Sequence, residues 1–214
     1  LADSDNITDI VAGLDTTEYA SALEDALPKY EDTGMILPFE AALDNYYLDR
    51  LLGSSDVPAD ENRQIIYSYV GTKVDVANLK LIIRAKEDGL NYEAINPYIL
   101  EKGYQLRDWK LKDLMESNDV AGVISGLEGT KYAEVLVDAL SQYNEDGSVA
   151  IFERTLDIYL AEHAKTLANK KPLGVGPIIG YLSQKETEIK NLKIIARAKR
   201  EMGFPTSKIM EMLI

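Results

Sequence analysis

The sequence repeats itself once along its length, and this duplication constrains the fold more than any other feature. Residues 5–101 align on residues 118–214 at a constant shift of 113 positions with no gap, and 26 of the 97 aligned pairs are identical. A repeat this long exceeds the roughly 34–47 residues of the common short helical repeats, so it indicates two large homologous units. We therefore expect two domains, a first module with a connecting helix at 1–113 and a second module at 114–214.

The pattern of apolar residues predicts helices throughout both units. Apolar residues recur at helical spacing, and no stretch shows the alternation of a strand. In the first copy the expected helices lie near 5–14, 17–30, 37–53, 58–88 and 91–96, followed by a connecting helix at 102–117. Thr17 and Thr130 are candidate caps of the second helix, because short hydroxyl side chains accept a backbone hydrogen bond there. The predicted fold class is all-α, with two tandem homologous helical modules.

Composition excludes several classes of function. The 214 residues carry a formal net charge of −13, which argues against nucleic-acid binding because phosphate recognition needs a dense basic surface. The chain has no cysteine, so disulfides and thiolate metal sites are impossible. No apolar run approaches the roughly 20 residues that span a bilayer, so membrane contact is expected only through partners.

The residues that usually carry catalysis or bind cofactors are scarce. His163 is the single histidine, and it belongs to no Glu-x-x-His pair, so a metal site or a histidine-dependent nucleophile has no basis here. The segment 174–180 superficially resembles a dinucleotide-binding turn, but Ile179 occupies the third glycine position and no strand precedes it. We predict that this segment starts a helix and packs closely, and we expect no catalytic residue, metal or cofactor.

Each copy has an acidic residue and an asparagine on one face of its longest helix. Asp75 and Asn78 share this face in the first copy, and Glu188 and Asn191 share it in the second, because residues three apart lie side by side. Asparagine is a poor helix former in a helix interior. Its presence at both positions predicts a structural network, in which each asparagine bonds across helices with a carboxylate close by. An unsatisfied buried amide would cost about 1–3 kcal/mol, so we expect both amides to be hydrogen-bonded.

A basic stripe runs along the opposite side of the same helices. It contains Lys80 and Arg84 in the first copy, Lys193 and Arg197 in the second, and Arg200 as an extension. In an acidic protein this stripe could contact an acidic partner, so these five residues are the candidates for partner contact. The alternative is a solvated face, or pairing with acidic neighbouring helices.

The repeat also bears on the start of the chain. Leu1 aligns with Leu114, which lies inside the expected connecting helix. We therefore expect the sequence to be a fragment of a longer protein, with at least one further copy upstream.

Several motifs, taken in order, resemble one known family. They are Tyr181-Leu182-x-x-Lys185-x-x-Glu188-Ile189-x-Asn191-Leu192-x-x-Ile195, its weaker counterpart Asp75-x-x-Asn78-Leu79-x-x-Ile82, Gly103-Tyr104-x-Leu106, and the segments from Leu14 to Tyr19 and from Leu127 to Tyr132. Over essentially its whole length the chain resembles the C subunit of archaeal A-type and bacterial V-type rotary ATPases, a relative of the d subunit of the eukaryotic V-ATPase. That family has three similar helical modules arranged with pseudo-threefold symmetry into a funnel, of which this chain would hold two.

The resemblance also implies a function. It implies a non-catalytic protein of the central stalk, peripheral on the cytoplasmic side of the membrane and soluble as an isolated fragment. Its partners would be the central-stalk subunits and the proteolipid rotor ring, and it would transmit torque during proton or sodium transport coupled to ATP. The alternative is a generic helical scaffold for another assembly, and an enzyme is less favoured than either.

Overall fold

The computed structural model describes residue 4 and residues 6–53, 60–200 and 204–214, and these fold almost entirely as helices. The helices are α1 (Ile7–Ala12), α2 (Ala20–Thr33), α3 (Leu37–Leu52), α4 (Glu61–Glu87), α5 (Tyr92–Ile95), a 3-10 turn (Asn96–Tyr98), α6 (Asp108–Glu116), α7 (Val120–Gly126), α8 (Lys131–Asp146), α9 (Ala150–Lys170), α10 (Gly176–Arg200) and α11 (Thr206–Met212). There is no strand among the described residues. The all-α fold class is therefore confirmed.

The two copies of the repeat build the same helical hairpin, α2–α3 in the first and α8–α9 in the second. An aromatic pair closes each hairpin: the rings of Tyr30 and Phe39 lie 5.2 Å apart, and those of Tyr143 and Phe152 lie 5.1 Å apart. A second edge-on pair also recurs, between Tyr19 and Tyr46 at 5.5 Å and between Tyr132 and Tyr159 at 5.4 Å. Identical residues 113 positions apart thus make identical contacts.

The starts of these hairpins differ from the expected caps in one copy. Thr130 caps α8, because its hydroxyl accepts a hydrogen bond from the backbone N–H of Ala133. Thr17 does not cap α2, which begins only at Ala20. Both hydroxyls donate to the carbonyl three residues earlier at 2.7 Å, but Thr17 accepts from the Tyr19 N–H, two residues on and before the helix begins.

The connecting helix is shorter than predicted. It was expected over 102–117, but α6 covers only Asp108–Glu116. The preceding residues are held in an irregular path, with Lys102 at a φ of 67° and with Gly103 buried. A Cβ atom at Gly103 would collide with the Asp75 carboxylate, so this segment is shaped by a tertiary contact rather than by helix propensity.

The gapless alignment fails after the second long helix. In the first copy Asn78 bonds the backbone of Leu100, whereas in the second copy Asn191 bonds the backbone of Ile214. These partners are 114 residues apart, so the second copy has one additional residue between the long helix and its terminal segment.

The buried residues form two separate hydrophobic cores. The smaller core lies between α1 and the first hairpin and consists of Val11, Leu23, Ala26 and Phe39. The larger core includes residues of α4 to α10, such as Ile65, Leu79 and Phe152. The long helix of the first copy is therefore packed into the second half of the chain, while the division at 113/114 stays a prediction.

Candidate functional site at the first long helix

A buried carboxylate joins α4 to the second half of the chain. Asp75 is fully buried, and its Oδ2 accepts hydrogen bonds from the Gln105 N–H and the Tyr132 hydroxyl, each at 2.7 Å. The Leu106 N–H approaches Oδ1 at 3.3 Å. One side chain of α4 thus binds both the segment before α6 and the first turn of α8.

Burial dominates the electrostatics of this carboxylate. It raises the pKa of Asp75 because the charged form loses its water, and the donated hydrogen bonds oppose that rise. The pKa of Tyr132 is also raised, first by its own burial and then by the charge of Asp75. The Tyr132 phenol therefore stays protonated and remains a hydrogen-bond donor.

The two asparagines are hydrogen-bonded, but to backbone and not to a carboxylate. The Asn78 amide donates to the Leu100 carbonyl at 2.8 Å and accepts from the Leu100 N–H at 2.9 Å. Asn191 makes the same pair with Ile214, at 3.0 and 2.9 Å. Each asparagine therefore fixes the segment that follows its long helix. It does so through one donated and one accepted hydrogen bond with the backbone of a single residue.

The fourth residue of the expected network lies elsewhere. Glu188, the counterpart of Asp75, is exposed and pairs with Lys185 one turn earlier at 2.6 Å. The structure therefore places Asp75 beside Asn78 on α4, and Glu188 beside Asn191 on α10, without joining the two pairs in one network.

The basic stripe of α4 faces acidic side chains of α9. The Lys80 ammonium lies 2.7 Å from the Asp157 carboxylate, and burial lowers the pKa of Lys80 although Asp157 opposes the shift. Arg84 binds Glu153 through two nitrogens, with Nη2 donating at 2.7 Å. In the first copy the stripe thus pairs with acidic side chains of a neighbouring helix in the same chain, which is the alternative that the sequence left open.

The corresponding residues of α10 are in a different environment. Lys193, Arg197 and Arg200 are exposed and form no ion pair with any residue that the structure describes. They remain candidates for contact with a partner.

Equivalent positions of the two long helices touch each other. The Lys73 ammonium bonds both oxygens of Glu186, 113 residues later, at 2.8 and 2.9 Å. The Asn62 side chain accepts from the Val175 N–H at 3.2 Å, again 113 residues apart. The long helix α4 therefore contacts α10, and the residue just before α10, at equivalent positions of the repeat.

All but the last two residues of the chain match the model of one family. The model of the ATP synthase (C/AC39) subunit family matches residues 1–212. The chain belongs to this family.

Individual relatives agree with that assignment. The C subunit of the A-type ATP synthase of Methanobrevibacter smithii is 72% identical over 214 residues, which are the whole of this chain and 56% of that protein. The same A-type ATP synthase protein from Methanothermobacter thermautotrophicus is 58% identical over 213 residues, covering 55% of its length. The one from Pyrococcus horikoshii is 29% identical over 213 residues and 56% of its length. The chain thus spans about half the length of these relatives.

The single histidine of this C/AC39 family member has a packing position. Its ring stacks on Tyr159, with centroids 6.1 Å apart, and Nε2 lies 3.1 Å from the Ser68 hydroxyl. Burial lowers the pKa of His163. No group of three or more potential metal ligands occurs within the described ranges. His163 therefore links α9 to α4 in a packed contact.

The glycine-rich segment also has a packing position, as predicted. The helix α10 begins at Gly176, and a Cβ atom there would strike the Leu167 carbonyl of α9. At Gly180 it would strike the Cβ of Ala168. The two glycines let α9 and α10 cross closely.

Sequence patterns did not identify the acidic residues Glu153 and Asp157, or the aromatic residue Tyr132, as parts of this site. Glu153 and Asp157 were indistinguishable from other carboxylates of an acidic chain, although both are identical in the two copies and lie four residues apart, facing the basic stripe. Tyr132 is also identical in both copies, but in the sequence it stands out only as part of a repeated motif.

Within the described structure, no helix is both long and apolar enough to cross a membrane.

Proposed function

We propose that this chain is part of a non-catalytic central-stalk subunit of a rotary A-type or V-type ATPase. In that role it links the central shaft to the proteolipid ring and transmits torque while ATP turnover is coupled to proton or sodium transport. The observation that carries the proposal is the family match over residues 1–212, together with relatives named as the C subunit of an A-type ATP synthase.

The packing around α4 supports a mechanical role. A part that transmits torque must resist shear between its elements, and here one long helix is tied to α8 through Asp75 and to α9 through Lys80 and Arg84. Sliding α4 would leave the Asp75 carboxylate and its donors buried without partners, at about 1–3 kcal/mol for each unsatisfied group. These contacts therefore oppose deformation more strongly than apolar packing alone.

The proposed location is the cytoplasmic face of the membrane, as a peripheral subunit. Membrane contact would pass through the proteolipid ring, since the described helices include no span. The net charge of −13 supports protein partners over nucleic acid.

Co-purification tests this proposal most directly. Tagged chain is incubated with solubilised A-type ATPase depleted of its own C subunit, and the captured material is examined for stalk subunits and proteolipid. We expect both to be captured, with binding reduced by Lys193→Glu/Arg197→Glu. The matched control is Lys165→Glu/Lys170→Glu, which makes the same charge change on exposed positions of α9.

Two results would count against the stalk role. Capture of neither component would favour the second candidate, a helical scaffold for another assembly. Ion pumping by the depleted enzyme at the undiminished rate, with the chain absent, would remove the coupling role altogether.

A further inference from the structure

The single tryptophan of the chain is exposed to solvent on α6. Trp109 is 65% exposed, although tryptophan is highly buried on average in folded proteins. The helix does not need it for packing, because α6 packs through Leu111, Leu114 and Met115, which are at most 3% exposed. A single exposed apolar residue is ordinary, so the surroundings of Trp109 decide whether it marks a binding site.

A groove of about 430 Å³ lies beside Trp109, between α5, the 3-10 turn and α6. Leu111 and Met115 lie at its base, since both are buried, and Tyr92 of α5 adds a second aromatic ring to its wall. All of its lining residues lie between 92 and 115, in the interior of the described range 60–200. We call this feature the Trp109 groove.

The rim of the Trp109 groove carries unpaired negative charge. Glu101 and Asp108 line the groove, both are exposed, and neither forms an ion pair with any residue that the structure describes. The basic lining residue, Lys112, lies 3.8 Å from Glu116, which offsets its charge. Asp108 also lies in the first turn of α6, where a negative charge stabilises the helix, but Glu101 has no such local role. The charge of the groove therefore favours a positively charged occupant.

The Trp109 ring already attracts a cation from its own helix. The Lys110 ammonium lies 5.4 Å from the ring centroid, within the roughly 6 Å range of a cation–π contact. An exposed contact of this kind is weak, so another cation can replace it. Arginine is the most suitable replacement, because its planar guanidinium stacks on aromatic rings and binds carboxylates through two nitrogens.

We propose that the Trp109 groove binds a segment of a partner protein that presents an arginine next to an apolar residue. The guanidinium lies on the Trp109 ring and pairs with Glu101 and Asp108. The apolar side chain covers Leu111 and Met115 at the base of the groove. This inference goes beyond the stalk role and does not depend on it, because the isolated chain presents the whole groove.

Fluorescence of the chain itself tests the inference, because Trp109 is its only tryptophan and reports on this groove alone. The probe is a short synthetic peptide that alternates arginine and leucine, titrated up to about 1 mM to cover weak binding. We expect a saturable change in Trp109 emission. The matched peptide with lysine in place of arginine should bind at least about tenfold more weakly, and the one with glutamate should not bind.

Charge variants locate the binding. Glu101→Gln/Asp108→Asn should weaken binding of the arginine peptide at least about tenfold, since both carboxylate partners are lost. The matched control is Asp138→Asn/Glu145→Gln, which makes the same charge change on exposed positions of α8 and should weaken binding less than about twofold.

Two further variants examine the ring and its present neighbour. Trp109→Ala should reduce binding at least about tenfold, measured by calorimetry because the fluorescence is lost, and circular dichroism should show unchanged helix content. Lys110→Ala should strengthen binding about threefold, because the competing cation is removed. Lys165→Ala, the same change on an exposed position of α9, should have less effect than Lys110→Ala.

Several outcomes would overturn the proposal. Equal weakening by the two pairs of charge variants would assign binding to diffuse attraction by the net charge of −13. Binding that survives Trp109→Ala, or equal binding of the glutamate peptide, would show that the groove does not select a cation. A change in emission with protein concentration alone would identify a second copy as the occupant. Stalk and ring capture is measured separately, so it can succeed or fail independently.

Discussion

The two long helices carry the same motif in different surroundings. Asn78-Leu79-Lys80 on α4 and Asn191-Leu192-Lys193 on α10 are identical in sequence. Leu79 is fully buried and Lys80 is paired with Asp157, whereas Leu192 is 58% exposed and Lys193 has no ion-pair partner among the described residues. The residues of a helix therefore determine which contacts it can make, and the presence of a hairpin beside it determines which contacts it does make.

The two long helices should differ most in stability when their acidic residues, Asp75 and Glu188, are replaced. Asp75→Ala removes the acceptor of three buried donors, so we expect a loss of about 4 kcal/mol in the free energy of unfolding, from roughly 1–3 kcal/mol for each unsatisfied group. Glu188→Ala should change it by less than about 0.5 kcal/mol, as for an ordinary exposed residue. Urea unfolding measures both changes in free energy, provided that the dependence of the free energy on urea concentration keeps the same slope.

A further variant separates the hydrogen bonds from the charge. Asp75→Asn keeps one acceptor oxygen and removes the buried charge that burial disfavours, so its loss should be about half that of Asp75→Ala. Equal losses for Asp75→Ala and Glu188→Ala would contradict the difference between the two helices.

Replacing the equivalent leucines, Leu79 and Leu192, should give the next largest difference in stability. Leu79→Ala leaves a cavity in the main core and should cost about 3 kcal/mol, within the range for buried leucines. Leu192→Ala should cost less than about 0.5 kcal/mol in dilute protein, because this side chain is already in water. A cost in dilute protein would show that α10 is covered within the monomer.

These contrasts show what could and could not be predicted from the sequence. The all-helical fold follows from local periodicity, whereas the ring contacts of Tyr30 with Phe39 and of Tyr143 with Phe152 come from the structure. The burial of Leu79 but not Leu192 depends on a hairpin distant in sequence, which no local pattern records. The irregular path at 102–107 was missed for the same reason, since Asp75 draws those backbone N–H groups away from a helix.

Replacing either asparagine should lower the stability of the protein by a similar amount. Each amide makes two hydrogen bonds to the backbone of one residue, Leu100 for Asn78 and Ile214 for Asn191. Asn78→Ala and Asn191→Ala should each cost about 1–2 kcal/mol, given roughly 1 kcal/mol net for each bond. Hydrogen exchange should show faster exchange of the Leu100 and Ile214 amides in the respective variants. A strong effect at one site alone would mean that the two amides are not equivalent.

The smallest expected effect concerns pH, at a position where the copies differ. His163 is half-buried between α9 and α4, and its counterpart Arg50 is an exposed residue 3.2 Å from Glu18. Burial lowers the pKa of His163, with Lys131 adding to the shift and Ser68 opposing it. The unfolded chain therefore binds this proton near pH 6.5 while the folded chain does not, so stability should fall as pH decreases below about 6.5.

The change His163→Gln should flatten this pH dependence, because the titrating ring is lost. The matched change Arg50→Gln should leave it intact, since arginine stays charged over this range. Midpoints of urea unfolding between about pH 5 and 8 give the comparison. If stability depends on pH with the same slope in the unaltered chain and in His163→Gln, the pH dependence would belong to carboxylates and not to His163. Asp75 would change stability in the opposite direction. Because its pKa is raised on folding, Asp75 favours the folded state at low pH and loses that contribution as pH rises.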